Sequence, residues 1–406
     1  MTFKQRASFV ERGYYVYHKI LDEFYINVVI EGECKNKFDI DELKNAIQIL
    51  SDINPCMRLN LCGFLNFTYF FDTGIAPLFR IVEKSSWDGM SSDTIDFLCK
   101  DSDIKKRPPA EVIYIKGSPV RIVFRFHHIL TDARGALLWI EDLFRILRNE
   151  KPISIFSKIS EYDIMLKNNL RGKKITPNYY ISPTGTSEGK IALNNRFIRR
   201  KIKINNNLPN LTGQIAVLAA KAAREIKDGK FCVTIPVDLR FRENYIKTTR
   251  NFSSIIYVEV NKNDAPADIT LKILKQLRNK EDLKFEYEDI YSKYVPVCLL
   301  KYIVKKRLYK KLSNNFFTSS ATISNIGFID TTKFSSDGFV TNSVFVFNLQ
   351  SYSPAFFLVT NCNNSNLEVT LSVPDVLRTN KRDEKLLNKI INEIENGEMQ
   401  NIAHKL

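Results

Sequence analysis

Hydrophobic residues recur along this chain with two periods, one typical of strands and one typical of helices. Residues 120–126 alternate, and the apolar members of one face are Val120, Ile122, Phe124 and Phe126. A second short strand pattern covers residues 111–115, and only four residues, including Gly117 and Pro119, separate the two. This arrangement predicts a β-hairpin.

The period changes directly after this hairpin. From Arg134 onward the apolar residues stand at helical spacing: Leu137, Ile140, Phe144 and Leu147. Asp132 precedes them, in a position where a carboxylate accepts hydrogen bonds from the first amides of a helix. Between strand and helix lie His127 and His128, two of the four histidines in 406 residues. Because imidazole exchanges protons near neutral pH, the sequence predicts an acid/base site in this turn.

Strand and helix patterns alternate through the rest of the chain. Strands are predicted at residues 25–31, 231–236, 252–260, 321–326, 343–349, 356–360 and 367–372. Helices are predicted at residues 39–50, 213–226 and 383–395. Residues 168–194 are rich in Gly, Pro and polar side chains, which indicates an interdomain connection. We therefore expect an α/β protein with an N-terminal lobe at 1–167, a connection at 168–194 and a C-terminal lobe at 195–406.

Composition narrows the functional classes. Sixty Lys and Arg residues against 45 Asp and Glu give a formal charge of +15, which favours an anionic partner. The basic residues are dispersed, without the clustered stripe that nucleic-acid binding needs, so we expect no nucleic-acid partner. Seven cysteines without a C-x-x-C or a cysteine–histidine grouping indicate reduced thiols and no metal site. Charged residues interrupt every apolar run, so we expect a cytoplasmic protein with no membrane span and no leader peptide.

Residues 127–135, HHILTDARG, resemble the HHxxxDG motif of thioester-dependent acyltransferases. This superfamily includes chloramphenicol acetyltransferase, nonribosomal-peptide condensation domains and alcohol acyltransferases. Four other segments are similar to superfamily segments and run in the same order: residues 39–58 with NPCMR at their end, 236–240 (PVDLR), 251–253 (NFS) and 324–327 (SNIG). The resemblance extends from about residue 20 to residue 375.

The resemblance implies two chloramphenicol-acetyltransferase-like lobes, each a mixed β-sheet with helices, and an active-site tunnel between them. It implies acyl transfer from a thioester of coenzyme A or carrier-protein phosphopantetheine to a hydroxyl or amine acceptor, without an acyl-enzyme. In that scheme His128 is the general base and His127 supports the turn, while Asp132 forms a structural ion pair. Arg240 is the candidate partner, because it lies in the matching second-half segment. No tightly bound cofactor is implied, and we expect any acidic carrier protein to act in trans.

Two features leave the function open. Ser324 and Asn325 either line the substrate tunnel, where they polarise the thioester oxygen, or form a turn. Ala133 stands where the superfamily has glycine, so we expect its methyl group to oppose a tight backbone, with Gly135 preserving some freedom two residues later. A second class of function therefore stays open: a noncatalytic protein that keeps this fold and binds a carrier protein or another partner.

Structural roles also stay open for several of these residues. The two histidines alternatively form a hydrogen-bonded strand end, Asp132 alternatively only caps the helix, and Arg240 alternatively lies at the surface. Three tyrosines near the N-terminus either line an acceptor pocket or pack in the core: Tyr14, Tyr15 and Tyr17. His18 and His404 stand in no recognisable motif.

Overall fold

Helices and strands alternate along the chain, as the hydrophobic periods predict. The computed structural model describes residues 4–20, 24–35, 38–65, 67–95, 109–174, 179–186, 195–204, 208–286, 291, 294–315, 317–349 and 355–403. The helices are α1 (Phe9–His18), α2 (Ile40–Ile53), α3 (Ala133–Leu147), α4 (Glu161–Asn168), α5 (Leu211–Ile226), α6 (Pro266–Arg278), α7 (Val297–Ser313) and α8 (Arg382–Ala403). The strands are β1 (Lys4–Arg6), β2 (Tyr25–Cys34), β3 (Leu59–Phe64), β4 (Phe67–Asp72), β5 (Leu78–Val82), β6 (Ala110–Ile115), β7 (Val120–His127), β8 (Asn195–Lys203), β9 (Phe231–Asp238), β10 (Ser253–Val260), β11 (Ala321–Ile329), β12 (Phe339–Asn348), β13 (Phe357–Asn363) and β14 (Asn366–Pro374). Within these ranges no helix combines the length and the apolar character needed to cross a bilayer.

The described strands form three sheets, and the strand that leads to the histidine turn lies in the middle of one of them. The five-stranded sheet has the order β12-β2-β7-β6-β5, with β7 at its centre. The six-stranded sheet has the order β10-β9-β11-β13-β14-β8, and the three-stranded sheet has the order β1-β4-β3. In the larger sheets β5 pairs in parallel with β6, and β11 pairs in parallel with β9 and β13, while the other pairs are antiparallel. These mixed sheets confirm the predicted α/β class.

Strand β12, from the second half of the sequence, belongs to the sheet of the first half. It pairs antiparallel with β2, which places Val344 opposite Ile30 and Val346 opposite Val28. The division of the chain at residues 168–194 stays a prediction, and residues 175–178 and 187–194 of that segment lie outside the described residues. The two halves of the sequence therefore share one sheet.

One face of the five-stranded sheet packs against α2 and α3. The alternation of β7 places Ile122, Phe124 and Phe126 in this core, together with Trp139 and Phe144 of α3. All five side chains are fully buried, and burying one such side chain contributes about 1.5–3 kcal/mol. This core anchors both the strand that enters the histidine turn and the helix that leaves it.

Two of the differences between the predicted and the observed elements bear on the candidate site. Helix α1 is not among the predicted helices, although Ser8 and Glu11 form a capping box at its start. The turn interpretation of residues 324–327 is wrong, because Ser324 and Asn325 lie within β11. The register of β11 against β13 shifts between Asn325 and Gly327, so a bulge replaces the expected turn.

Candidate active site

The histidine turn joins the centre of the five-stranded sheet to helix α3. His127 is the last residue of β7, and Ala133 is the first residue of α3. The amide of His128 donates to the carbonyl oxygen of Phe24 at 3.1 Å, and the amide of Leu130 donates to that of His127 at 2.9 Å. Because the backbone of the turn forms hydrogen bonds within the turn and with the segment that enters β2, it holds the two imidazole rings in defined places.

His127 is buried, with an exposed fraction of 0%. Its Nδ1 accepts a hydrogen bond from the amide of Ile129 at 3.1 Å, so the proton of the neutral ring lies on Nε2. The rings of His18 and Tyr25 meet it edge to face, with centroids 4.6 and 5.1 Å away. Burial, and then the neighbouring His18 and His128, hold the pKa of His127 well below 6.5. His127 is therefore neutral, which suits support of the turn rather than proton exchange with a substrate.

His128 lies between aromatic rings and a polar cluster. Its ring stacks on Tyr14 of α1, with centroids 4.9 Å apart and an interplanar angle of 15°, and lies 5.7 Å from the ring of Phe24. Its Nδ1 lies 3.2 Å from the carbonyl oxygen of Thr131 and 3.2 Å from Nδ2 of Asn251. The same Nδ2 donates to the carbonyl oxygen of His128 at 2.8 Å. These contacts set both the position and the orientation of the ring.

The two contacts of Nδ1 favour opposite tautomers of His128. A carbonyl oxygen only accepts, so Thr131 favours a proton on Nδ1 and a free lone pair on Nε2. An amide nitrogen only donates, so Asn251 favours a free lone pair on Nδ1 and a proton on Nε2. Burial lowers the pKa of His128 below 6.5, although the carbonyls of His128 and Thr131 and the charge of Asp132 act to raise it. The ring is therefore neutral at pH 7, which is the state that a general base requires.

Asp132 and Arg240 form the predicted ion pair, with Arg240 Nη1 3.0 Å from Asp132 Oδ2. Both residues are buried, with exposed fractions of 6% and 5%. Asp132 also caps α3 by accepting from the amide of Gly135 at 2.8 Å, and it accepts from the amide of Phe252 at 2.6 Å. Burial alone would raise the pKa of Asp132, but the charge and hydrogen bond of Arg240 and the two amides lower it overall. Asp132 is thus both a helix cap and an ion-pair partner.

The remaining donors of Arg240 hold the segment that carries Asn251. Its Nε donates to the carbonyl oxygen of Thr248 at 3.0 Å, and its Nη2 donates to that of Arg250 at 2.7 Å. Its Nη1 also reaches the Asp238 carboxylate at 2.9 Å. Arg240 is therefore not a surface residue. It links the turn that carries His128 to the chain segment that brings Asn251 against it.

Gly135, rather than Ala133, stands where a side chain does not fit. A Cβ at Gly135 would lie 2.3 Å from the carbonyl oxygen of Thr249 and 2.5 Å from Oγ1 of Thr131. Ala133 begins α3 with an ordinary helical backbone and is not among the residues with positive φ, so the expected conflict between its methyl group and the backbone is wrong. Ala133 instead lines the cavity beside His128.

His128 lines a cavity of about 190 Å³. Five of the predicted site residues line this cavity together: His128, Asp132, Arg240, Ser324 and Asn325. His127 and Gly135 are not among its lining residues, in keeping with their positions in the turn and inside α3. A second cavity of about 260 Å³ shares Arg134, Asp238 and Arg240 with the first. The guanidinium of Arg134 donates to the carbonyl oxygen of Ile326, so this side chain connects α3 with β11.

Sequence patterns do not reveal every contact of the histidine turn. The stacking of Tyr14 on His128 depends on α1, which the capping box at Ser8 and Glu11 would have predicted, but that box does not indicate where α1 packs. His18 has no motif around it, yet it packs against His127. Among the described residues, no group of three or more His, Cys, Asp or Glu side chains is placed to hold a metal ion.

Solved structures share this architecture. The chain is similar to the condensation domain of the Monacolin K polyketide synthase MokA, with a TM-score of 0.63, 10% identity and 98% of each chain covered. It is similar to a mutant starter condensation domain of the rhizomide synthetase RzmA in complex with C8-CoA and Leu-SNAC, with a TM-score of 0.63, 11% identity, and 96% of this chain and 93% of that chain covered. It is also similar to polyketide synthase associated protein 5 from Mycobacterium tuberculosis, with a TM-score of 0.58, 11% identity, and 96% and 95% covered.

At these identities the likeness establishes the fold. The predicted architecture of two chloramphenicol-acetyltransferase-like lobes is confirmed, and the chain has the condensation-domain fold. No family model and no curated protein matches the sequence.

Proposed function

We propose that this protein is an acyltransferase that moves an acyl group from a coenzyme A or phosphopantetheine thioester to a hydroxyl or amine, with His128 as general base. One observation carries the proposal: a neutral imidazole with its Nδ1 held by backbone and amide groups lines a cavity between the two halves of the sequence. A base for acyl transfer needs a lone pair that faces a substrate and a ring that cannot turn away.

In the proposed reaction, Nε2 of His128 takes the proton from the acceptor as its oxygen or nitrogen attacks the thioester carbonyl carbon. The new bond creates a tetrahedral oxyanion, and the carbon–sulfur bond then breaks. His128 returns the proton to the departing thiolate, so the ring ends neutral and no acyl-enzyme forms. Asp132 does not touch the substrate in this scheme, because both of its oxygens are bound to Arg240 and to backbone amides.

Ser324 and Asn325 are the candidates for stabilising the oxyanion. Both line the cavity with His128, and a preorganised hydroxyl or amide donor can stabilise developing negative charge on the carbonyl oxygen. The Asn325 side-chain oxygen accepts from the amide of Gly327 at 2.9 Å, which leaves its NH₂ group as the available donor. The bulge in β11 thus fixes the orientation of the Asn325 side chain, because its oxygen accepts a hydrogen bond from the same strand.

The donor is proposed to be a soluble thioester substrate and not a bound cofactor. The formal charge of +15 suits either the phosphates of coenzyme A or an acidic carrier protein acting in trans. An active enzyme needs an open tunnel that reaches His128 from both faces of the protein, whereas a blocked tunnel with His128 buried in packing would favour the noncatalytic alternative. The cavity lined by His128 supports the catalytic proposal instead.

The proposal is tested by product formation. The protein is incubated with acyl-coenzyme A and acyl-pantetheine thioesters of different chain lengths, each with alcohol and amine acceptors, and the products are identified by mass spectrometry. We expect an ester or amide product, with release of one thiol per acyl group transferred. Thiol release without an acylated acceptor would indicate hydrolysis and would contradict the proposal. Binding of thioesters without any turnover would favour the noncatalytic alternative.

A further inference from the structure

Helix α7 carries apolar side chains on two opposite faces. On its inner face Leu308 is buried, and Val297 and Val304 pack against the same hydrophobic core. On its outer face Leu299 is 48% exposed and Tyr302 is 64% exposed. The helical period of 3.6 residues separates these two groups to opposite sides of the helix. The core therefore uses one side of α7 and leaves apolar side chains in solvent on the other.

Basic side chains share the outer face of α7. Basic residues are dispersed along the chain as a whole, but residues 290–329 contain seven Lys and Arg residues and no Asp or Glu. Three exposed lysines lie on the outer face: Lys305, Lys306 and Lys310. None of the three forms an ion pair with another residue in the part of the chain that the structure describes. The outer face of α7 is therefore positively charged, without counter-charges of its own.

The tip of the β3–β4 hairpin extends this face. The amide of Val297, the first residue of α7, donates to the carbonyl oxygen of Leu65 at 3.1 Å. Leu65 is 52% exposed and Phe67 is 51% exposed. The guanidinium of Arg6 lies over the ring of Phe67, 5.6 Å from its centroid. We call the side chains of the hairpin tip and of the outer face of α7 the basic apolar face: Arg6, Leu65, Phe67, Leu299, Tyr302, Lys305, Lys306 and Lys310.

The combination of side chains indicates the kind of partner. A single exposed apolar side chain is ordinary, but several apolar side chains beside uncompensated cations form a surface with two kinds of contact. A nucleic acid would use the cations and leave Leu65 and Leu299 in water. An anionic bilayer uses both groups, because its phosphates attract the cations while apolar side chains enter the boundary between headgroups and acyl chains. The amphipathic ring of Tyr302 suits that boundary as well.

We propose that the basic apolar face binds the surface of an anionic lipid membrane. The protein lies on the bilayer and does not cross it, because the inner face of α7 remains packed in the core. This inference goes beyond the proposed acyl transfer and does not depend on it, since no residue of the basic apolar face lines the cavity of His128.

Co-flotation of the full chain with lipid vesicles tests the proposal. One set of vesicles contains phosphatidylcholine alone, and the other contains equal parts of phosphatidylcholine and phosphatidylserine. We expect the protein to float with the phosphatidylserine vesicles, to bind phosphatidylcholine vesicles far more weakly, and to lose binding as salt is added. A protein that stays in solution with the phosphatidylserine vesicles at low salt overturns the proposal.

A charge variant tests the location of the face. Lys305→Gln/Lys306→Gln/Lys310→Gln should weaken binding to phosphatidylserine vesicles about a hundredfold, because each cation near an anionic surface strengthens binding about fivefold. The control removes three other exposed lysines, on α2, α5 and α8, and so changes the net charge equally: Lys44→Gln/Lys221→Gln/Lys385→Gln. The control should keep most of the binding. Equal losses in the two variants would show a general effect of net charge and would overturn the proposal.

An apolar variant separates a membrane from other polyanions. Leu65→Asn/Leu299→Asn should weaken vesicle binding about tenfold or more, because two half-exposed leucines no longer enter the bilayer. Its binding to a short DNA duplex, measured by fluorescence anisotropy, should equal that of the natural protein. Unchanged vesicle binding by the folded variant would indicate a general affinity for polyanions and overturn the proposal. Tight binding of the duplex by a protein that does not float would overturn it in favour of a nucleic-acid partner.

Discussion

The carboxylate of Asp132 and the guanidinium of Arg240 meet at 3.0 Å inside the protein, 108 positions apart in the sequence. This pair connects the turn that carries His128 with the segment that carries Asn251. Removing one partner of a buried ion pair strongly lowers the stability of the protein, because the remaining charge has neither water nor a counter-charge beside it.

Arg240→Ala should lower the free energy of unfolding by about 3–5 kcal/mol, because it leaves the Asp132 carboxylate buried without its counter-charge. Urea unfolding measures this change. The matched control is Lys262→Ala, which breaks an exposed ion pair with Asp228 at 2.9 Å and should have little effect. Equal losses in the two variants would show that the Arg240 pair has no special structural role.

The same carboxylate should contribute to acid denaturation. Its pKa in the folded protein is below its ordinary value of 3.8. A lowered folded pKa means that the folded state binds its proton less readily than the unfolded state. The stabilisation is therefore complete above pH 3.8 and is lost as the pH falls through the folded pKa. The free energy of unfolding, measured against pH, should show this loss in the natural protein and a smaller one in Asp132→Asn. Parallel pH curves for the two would contradict the lowered pKa.

Two helical glycines should respond oppositely to alanine. A Cβ at Gly135 would meet the carbonyl oxygen of Thr249 at 2.3 Å, whereas a Cβ at Gly13 has no atom within 4 Å. Gly135→Ala should destabilise the protein by about 1–3 kcal/mol or more. Gly13→Ala should be neutral or stabilising by up to about 1 kcal/mol, because alanine favours the helix. Thermal unfolding of both variants checks this, and a tolerated alanine at 135 would refute the close approach.

The activity should persist into mildly acidic solution. Burial lowers the pKa of His128 below 6.5, against the raising effect of the backbone carbonyls and of Asp132, the charged group that acts on it. The base is active when unprotonated, so the midpoint of the acidic limb of kcat/KM should lie below pH 6.5. An acidic limb with its midpoint above 6.5 would contradict the lowered pKa of His128.

The sequence predicts the elements on either side of the site better than the contacts across it. The alternation in β7 and the spacing in α3 reflect local burial, so Val120 to Leu147 follow the predicted hairpin strand and helix closely. The side chain of Asp132 caps α3 as its position indicates. Its pairing with Arg240 came from a motif resemblance, since no local pattern links residues that distant.

What the sequence does not indicate depends on long-range packing. No periodicity places β12 beside β2 or brings Tyr14 onto His128. Whether glycine is required at position 133 depends on the backbone conformation there. The structure shows that conformation to be an ordinary helical one, and the sequence does not. For Ser324 and Asn325 the sequence left a tunnel-lining role and a turn open, because no local pattern shows that they lie in a strand beside the cavity of His128.

The most direct test of the central claim is the rate of acyl transfer by His128→Ala, once a thioester and acceptor pair has been identified for the natural protein. Folding of the variant is checked first by its thermal unfolding midpoint. Loss of a general base should reduce kcat about 10²–10⁴-fold while the unfolding midpoint stays close to that of the natural protein. Undiminished turnover by a folded His128→Ala variant would contradict the account.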